Sequence, residues 1–412
     1  MSQNPVPPAD IATRLVHHDY VAPGGFSAPQ PAVHKASTVL FPDVAALRAR
    51  NWKDRGGYTY GLHGTPTTFT LEERLATLEG ARHCLLAPSG LAAISTVALS
   101  LLRQGDEVLL PDNAYGPNLA LVQEELAHWG ISHQRFDPLD VEDLRSRLGE
   151  RTRLVWLEAA GSVTMEFPDL VSQVRACRER GVLCALDNTW GAGLAFAPFD
   201  LLGDGSLGVD LSVHALTKYP SGGGDVLMGS ITTRDEALHL RLKGTHMRLG
   251  VGVGANDVEA VLRSLPSMAL RYRAHDRTAR ELARWLAAQP AVAQVLHPAL
   301  PDSPGHAHWK ALCGAAAGGE GAAAGLFSVV FDARHGRERV DAFCNRLQLF
   351  GIGYSWGGPM SLVVPYDLSG MRAGATSHLA GRTVVRLCIG LEDVEDLRAD
   401  LQQALEHAFG AS

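Results

Sequence analysis

From His83 onward the chain alternates between short β-rich runs and helical runs, and this alternation narrows its possible folds more than any other feature. HCLLA reads as a strand, GLAAISTVALSLL as a helix, DEVLLP as a strand, and Asn118 to His128 as a helix. TRLVWLEA and VLCALDN are β-rich runs flanking a helix that begins near Pro168 and Asp169. That helix buries Leu170, Val174 and Cys177 on one face and stops at Gly181. Repeated strand–helix–strand units predict a mostly parallel sheet covered by helices, with ligands bound beyond the carboxyl ends of the strands. The loops that follow strands are therefore where chemistry is expected. Asp187 ends VLCALDN, and Lys218 follows VDLSVHAL in the loop before DVLMGSITT, so both should face one crevice.

After about Leu265 the pattern changes to a long charged helix, RYRAHDRTARELARWLAAQ, and separated strands such as GLFSVVF and TVVRLCIGL, which read as a smaller α+β domain. A chain of 412 residues is too long for one ordinary core. The division expected is an N-terminal arm over 1–64, a large domain over 65–264 and a C-terminal domain over 265–412. The arm is rich in Pro, Gly and polar residues with little periodicity, so it is expected to order against another surface, which hints at an oligomer. Gly314 to Gly325, GAAAGGEGAAAG, is expected to be a surface loop.

Composition excludes several classes. Hydrophobic residues at 46% and charged residues at 20% match a soluble globular protein, and a net charge of -7 opposes binding to nucleic acid or anionic lipid. The start MSQNPVPPAD lacks a basic, apolar leader, and the apolar run from Leu91 to Leu102 is too short to span a bilayer, so a cytoplasmic location is expected. Six cysteines without a CxxC pair read as buried free thiols. GVGVGAND, Gly250 to Asp257, lacks the strand and turn of a dinucleotide loop. His306 and His308, like His17 and His18, have no convergent third ligand, so no metal site is expected.

Lys218 could be an ordinary surface lysine, but a lysine at a strand end beside flexible glycines can be desolvated enough to form a Schiff base with a carbonyl cofactor. Pyridoxal 5'-phosphate is the obvious candidate. It needs an acid at its ring nitrogen, an aromatic ring stacked on it, and backbone N–H groups at a helix start for its phosphate. Asp187 at its strand end could supply the acid or merely cap a turn. Tyr115 in DNAYGPN could stack or simply pack, and PSGLAAI puts Ser89, Gly90 and Leu91 where a helix begins. Arg386 interrupts the apolar run TVVRLCIGL, where an unpaired guanidinium would be costly and a carboxylate partner would resolve the cost.

Nearly the whole chain resembles the cysteine and methionine metabolism family of pyridoxal-phosphate enzymes, and within it the cystathionine β-lyases. The resemblance rests on YGLHGTPTTFTLEERLATLEG, APSGLAAI, NAYGPN, LEAAGSVTMEFPDL, ALDNTWGAG, TKY around Lys218 with Asp225 after it, HPALPDSPGHAHWK, YSWGG and VVRLCIGLED. It implies an α/β protein of pyridoxal-phosphate fold type I, aspartate-aminotransferase-like, with a large mostly parallel domain and a smaller C-terminal α+β domain. It implies Lys218 as the lysine that carries the cofactor, Asp187 at the pyridinium nitrogen and Tyr115 on the ring. Ser89, Gly90, Leu91, Thr189 and Thr217 would complete the cofactor site. Arg386 would hold the substrate α-carboxylate, with Tyr354, Ser355 and Trp356 forming the substrate-facing wall. A homotetramer, a dimer of dimers with shared sites, is also implied, with Tyr60 reaching into a neighbour's site.

The chain departs from the pattern in places. Leu62 and His63 follow Tyr60 where those β-lyases carry an arginine two residues after the tyrosine. Ala215 stands where relatives often have serine, and Pro359 and Met360 follow YSWGG in place of bulkier polar residues. The activity implied is β cleavage of L-cystathionine to homocysteine, pyruvate and ammonia. The alternatives are a γ-lyase or γ-synthase, a broad lyase of cysteine S-conjugates, or a non-catalytic cofactor-binding protein.

Overall fold

The structure, a computed structural model, describes residues 11–16, 25, 28–53, 55–368, 379 and 382–410. The expected alternation from His83 is present. The strands of the first sheet are β1 His83–Ala87, β2 Glu107–Pro111, β3 Ser132–Phe136, β4 Thr152–Glu158, β5 Leu183–Asp187, β6 Leu211–Ala215 and β7 Gly229–Thr233. Their order is β1-β7-β6-β5-β4-β2-β3. The pairs from β6 through β3 are parallel, whereas β7 runs antiparallel to both β6 and β1. The parallel part thus aims Pro111, Glu158, Asp187 and Ala215 at one edge, the end of the sheet where α/β folds bind ligands.

The helices are α1 Ile11–Val16, α2 Val44–Ala49, α3 Pro66–Glu79, α4 Gly90–Leu101, α5 Gly116–Leu121, α6 Val141–Arg147, α7 Leu170–Glu179 and α8 Glu236–Leu249. They continue with α9 Ala255–Ala287, α10 His306–Cys313, α11 Arg337–Arg346 and α12 Val394–Phe409. Sequence chemistry sets several of their ends. Thr65 and Thr68 form a reciprocal capping box around Pro66 at the start of α3, Asp169 caps α7, and Gly80 and Gly250 take left-handed conformations that end α3 and α8. One face of the large sheet packs against α3 and α7, with α9 packed on α3, and Leu71, Leu75, Val174 and Leu262 lie in that core. The other face packs against α4 and α8, with Ile94, Val97 and Leu242 buried there. Burial on both faces explains why β2 and β4 read as continuous apolar runs rather than alternating ones.

The second sheet has order β10-β11-β12-β9-β8, with β8 Val292–Leu296, β9 Leu326–Phe331, β10 Gly351–Ile352, β11 Leu362–Asp367 and β12 Thr383–Cys388. The boundary expected at 264/265 falls inside α9, which begins at Ala255 and runs through Pro266. Val258, Leu262, Leu265 and Tyr272 of this helix belong to the large core, and Ala279, Leu282 and Leu286 to the core of the second sheet. A single helix thus threads both cores.

Two expectations need adjustment. The 314–325 stretch is not simply a surface loop, because Ala322, Ala323 and Ala324 are buried: Ala322 O accepts Trp309 Nε1 at 2.9 Å, and Ala323 N donates to Asp276 Oδ2 at 2.9 Å. The tight packing is confined to the end of the stretch, where a Cβ on Gly325 would lie 2.5 Å from His275 Cβ, while Gly318, Gly319 and Glu320 are exposed as expected. Within the arm, Leu15 is fully buried against the chain itself while Leu40 is 88% exposed. All six cysteines are free and buried, as expected. Among the described residues no helix is long and apolar enough to cross a membrane.

Beneath the site edge lies a buried carboxyl group. Glu79, the last residue of α3, accepts Asn188 Nδ2 and Ser212 Oγ at 3.0 Å each on Oε1, and Thr232 Oγ1 on Oε2. It therefore ties α3 to β5, β6 and β7. Burial raises its pKa above the ordinary 4.5, so the folded chain holds this proton more tightly than the unfolded chain and Glu79 lowers stability as pH rises through that window. Glu79→Ala, which strands three buried donors, is expected to cost about 3 kcal/mol or more in urea denaturation. Glu79→Gln should stay within about 1 kcal/mol of wild type and flatten the fall in stability above pH 4.5. Equal losses in the two variants would show that the hydrogen bonds of Glu79 do not support the sheet.

Candidate active site

Beyond β6 the chain turns sharply. Lys218 N donates to Ala215 O at 3.1 Å, Ser221 N to Leu216 O at 2.9 Å and Gly222 N to Lys218 O at 2.9 Å. This turn lifts the Lys218 side chain off the strand end, where its Nζ donates to Ser355 Oγ at 2.9 Å and lies 5.9 Å from the Trp356 ring centroid. Ser355 comes from the second unit and has φ of 105°, a range that non-glycine residues rarely adopt. Gly357 follows with φ of 75°, and a Cβ there would approach Tyr219 N to 2.9 Å, so only glycine lets this segment reach the lysine turn. Burial lowers the pKa of Lys218, the Arg386 guanidinium lowers it further, and Cys388 and Asp187 act in the opposite direction.

Asp187 reaches the same edge from β5. Its Oδ1 accepts Thr189 N at 3.0 Å and Thr189 Oγ1 at 2.6 Å, and Thr189 Oγ1 in turn accepts Ala215 N at 3.0 Å. The turn reading of Asp187 therefore holds for Oδ1, while among the described residues Oδ2 has no hydrogen-bond partner. Burial raises the Asp187 pKa, and the Thr189 bonds and Lys218 oppose the rise. Ser89 caps α4 by accepting Ala92 N at 3.0 Å. Gly90 fits against the end of β6 because it lacks a side chain: a Cβ would lie 2.7 Å from Ala215 Cβ. This brings the start of α4, Gly90 and Leu91, with unpaired first-turn N–H groups, beside the Lys218 turn. Thr217 is engaged differently, since its Oγ1 donates to Met228 O at 3.3 Å and accepts Met228 N at 3.2 Å, closing the glycine loop.

Tyr115 opens α5 and is 41% exposed. Burial raises its phenol pKa, Asp187 and Glu158 raise it further, and Arg386 opposes them, so the ring lies in the field of the same charges. Arg386 occupies the middle of β12, opposite Val364 on β11 and Ser328 on β9. Its guanidinium carbon is 5.3 Å from the Tyr366 ring centroid, and its Nε is buried with no acceptor among the described residues. The wall divides: Ser355 and Trp356 meet Lys218, while Tyr354 is 78% exposed and makes an edge contact with Tyr366 at 6.4 Å.

Tyr60 stands apart. It packs edge-on against His63 at 5.8 Å and, with Leu62, Thr68 and Lys243, lines a cavity of about 750 Å³ to which Lys218, Asp187 and Arg386 do not contribute. Among the described residues no group of His, Cys, Asp or Glu could hold a metal ion; His17 and His18 lie outside those residues. GVGVGAND follows α8 rather than a strand and leads into α9. Residue-level reading missed two members of the site, Glu158 and Tyr366. Glu158 had a signal: it ends TRLVWLE as Asp187 ends VLCALD, an acid at the carboxyl end of a parallel strand.

The arrangement joins a desolvated amine, a carboxylate, an aromatic ring, a buried guanidinium and a helix start, a set suited to a carbonyl cofactor bearing a phosphate. Comparison with known proteins agrees. A chain of Bordetella avium named cystathionine beta-lyase is 39% identical over 377 residues, covering 91% of each chain. The cystathionine beta-lyase of Escherichia coli is 34% identical over 398 residues, covering 95% of this chain and 97% of that one. The crystal structure of metB from Corynebacterium glutamicum superposes with a TM-score of 0.85 at 27% identity, covering 97% and 98% of the two chains. The model of the Cys/Met metabolism PLP-dependent enzymes matches residues 12–406, and the chain belongs to that family.

Proposed function

We propose that this pyridoxal-phosphate enzyme is a carbon–sulfur β-lyase that cleaves L-cystathionine to homocysteine, pyruvate and ammonia. The observation that carries the reading is the half-buried Lys218 amine, 2.9 Å from Ser355 Oγ and within the fields of Asp187 and Arg386. The residues present fit the cofactor. Asp187 Oδ2 is free of protein partners among the described residues, and Arg386 Nε is buried without an acceptor. The start of α4 lies close to the Lys218 turn. Lys218 would carry the cofactor, Asp187 would face its ring nitrogen, Tyr115 would lie on the ring, and Ser89, Gly90 and Leu91 would meet its phosphate. Thr189 would hold Asp187 in place, and Thr217 would hold the loop.

Pyridoxal phosphate, when bound, withdraws electrons from the substrate Cα. Arg386 binds the α-carboxylate through a two-point fork, which answers its unpaired Nε. Asp187, ionised, holds a proton on the ring nitrogen by its opposite charge. Lys218 Nζ, its proton affinity lowered by burial and by Arg386, takes the Cα proton as the Cβ–S bond breaks, and Ser355 Oγ orients that amine. The sulfur would leave as a thiolate that takes the proton held by Lys218 to become homocysteine, and water would convert the remaining three-carbon fragment to pyruvate and ammonia. Trp356, under Lys218, keeps bulk water from the amine.

We further infer a cytoplasmic homotetramer, a dimer of dimers in which Tyr60 serves a neighbouring site. Six buried free thiols support a reducing compartment, and Leu40 and Tyr60, exposed on the single chain, support cover by a second copy.

Three outcomes test these assignments. Cystathionine is asymmetric about sulfur, so chromatography after turnover should give pyruvate and homocysteine, with none from Lys218→Ala. 2-Oxobutyrate and cysteine as main products would sink the β assignment in favour of γ cleavage. Asp187→Asn should keep bound cofactor yet lower kcat on the order of 100-fold, as loss of about two pKa units of support for the ring proton implies. A near-normal kcat would leave Asp187 only its turn role. Arg386→Lys should raise KM roughly tenfold or more while leaving the visible spectrum of the bound cofactor unchanged, because lysine lacks the planar fork. Unaltered saturation would move the carboxylate site elsewhere.

A further inference from the structure

We propose that Glu158 is the positioning residue for Tyr115: its carboxylate, at the carboxyl end of β4, fixes the backbone where α5 begins and so sets how the Tyr115 ring lies over the site. Glu158 Oε2 accepts Tyr115 N at 2.7 Å, and Glu158 Oε1 accepts Ser162 Oγ at 2.6 Å. Both lengths are those of well-formed hydrogen bonds. The helix that Tyr115 opens cannot hold the residue by itself. Its first turn is weakly held: Pro117 lacks an N–H, no side chain caps the helix, and the regular α-helical part gives way to a π turn at Val122–Leu126. The carboxylate reaches across from a neighbouring strand to do what a cap would do.

Glu158 is itself held firmly. It is buried, and the loop after it is stitched to the Tyr115 loop: Ser162 N donates to Asn113 O at 2.9 Å, and Asn113 Nδ2 donates to Glu166 Oε2 at 3.0 Å. That loop is anchored from the second sheet as well, since Ser328 Oγ donates to Val163 O and Ser328 is the cross-strand neighbour of Arg386. The location is costly, because Glu158 is paired in register with Asp187, a second acid on the next strand. An apolar residue would avoid that repulsion but could not accept Tyr115 N.

The inference rests on the reading of Tyr115 as the ring that lies on the cofactor, and its test needs no substrate. Cofactor-free protein is titrated with pyridoxal 5'-phosphate, the Kd is read from visible absorbance, and the visible circular dichroism of the bound cofactor reports how it is held. Glu158→Ala should weaken binding roughly tenfold and diminish the dichroic band in the wild-type background, but change Kd less than about threefold in a Tyr115→Ala background. Glu158→Gln, which can still accept Tyr115 N, should stay within about threefold of wild type. Should the alanine variant not fold, Glu158→Asp, too short to reach Tyr115 N, carries the same expectation as alanine. Equal weakening by the Glu158 variant in both backgrounds, or no change in Kd and dichroism in either, overturns the proposal while leaving the Tyr115 reading intact. A Tyr115→Ala variant that binds and displays the cofactor like wild type sinks the Tyr115 reading and the proposal with it.

Discussion

Keeping a primary amine half out of water, within the fields of a carboxylate and a guanidinium, is the constraint to which the other features of this structure answer. A lysine at a strand end would ordinarily extend into solvent and hold its proton. Here the turn from Ala215 to Gly222 points it inward, and Ser355 and Trp356 close on it from a segment far along the chain. That closure depends on backbone that only unusual residues allow: Ser355 at φ of 105° and Gly357 against Tyr219. Such strain persists where the surrounding packing over-determines it.

The packing that does so joins the two sheets. Tyr219, next to Lys218, is buried between Tyr272 and His275 of α9 and the edge of Trp356, and its hydroxyl accepts Gly325 N at 2.7 Å. Asp276, one turn along α9, is bonded to Arg280 and accepts Ala323 N. The alanine and glycine residues before β9 are thus part of the frame that sets Lys218, and α9 carries that frame from one core to the other. The second unit is a wall of the site as much as a domain of its own.

Much of this was legible in the chain because the informative residues sit at strand ends. Asp187 ends one β-rich run, Lys218 follows another, and Gly90 starts an apolar helix straight after a third, so periodicity placed all three at the ends of strands where the candidate site lies. Pairing partners leave no such mark. The antiparallel direction of β7, the register that sets Glu158 beside Asp187, and the burial of Ala322 to Ala324 all depend on which distant segment lies alongside. For the same reason the long helix read from its charged second half begins earlier, at Ala255, where Pro266 hides the continuity. Thr217 and Tyr354 lie where the chain suggested, yet Thr217 is bonded to Met228 and Tyr354 faces outward, and side-chain direction is not written in spacing.

On the proposed reading, Arg386 would link substrate capture to the state of the lysine. A guanidinium in the middle of a buried strand is tolerable only with compensation, and the Tyr366 ring face gives part of it while Nε remains without an acceptor. In that state its positive charge lowers the proton affinity of Lys218, second only to burial itself. On the proposed reading, a substrate carboxylate docking on Arg386 cancels much of that field, so the affinity of Lys218 for a proton rises when a proton is due to be taken from Cα. Before binding, the same field favours the neutral amine that can bond to a carbonyl carbon. One charge would thus serve two successive needs with opposite sign, and Asp187, whose charge raises the proton affinity of Lys218, would limit how far the amine can be pushed.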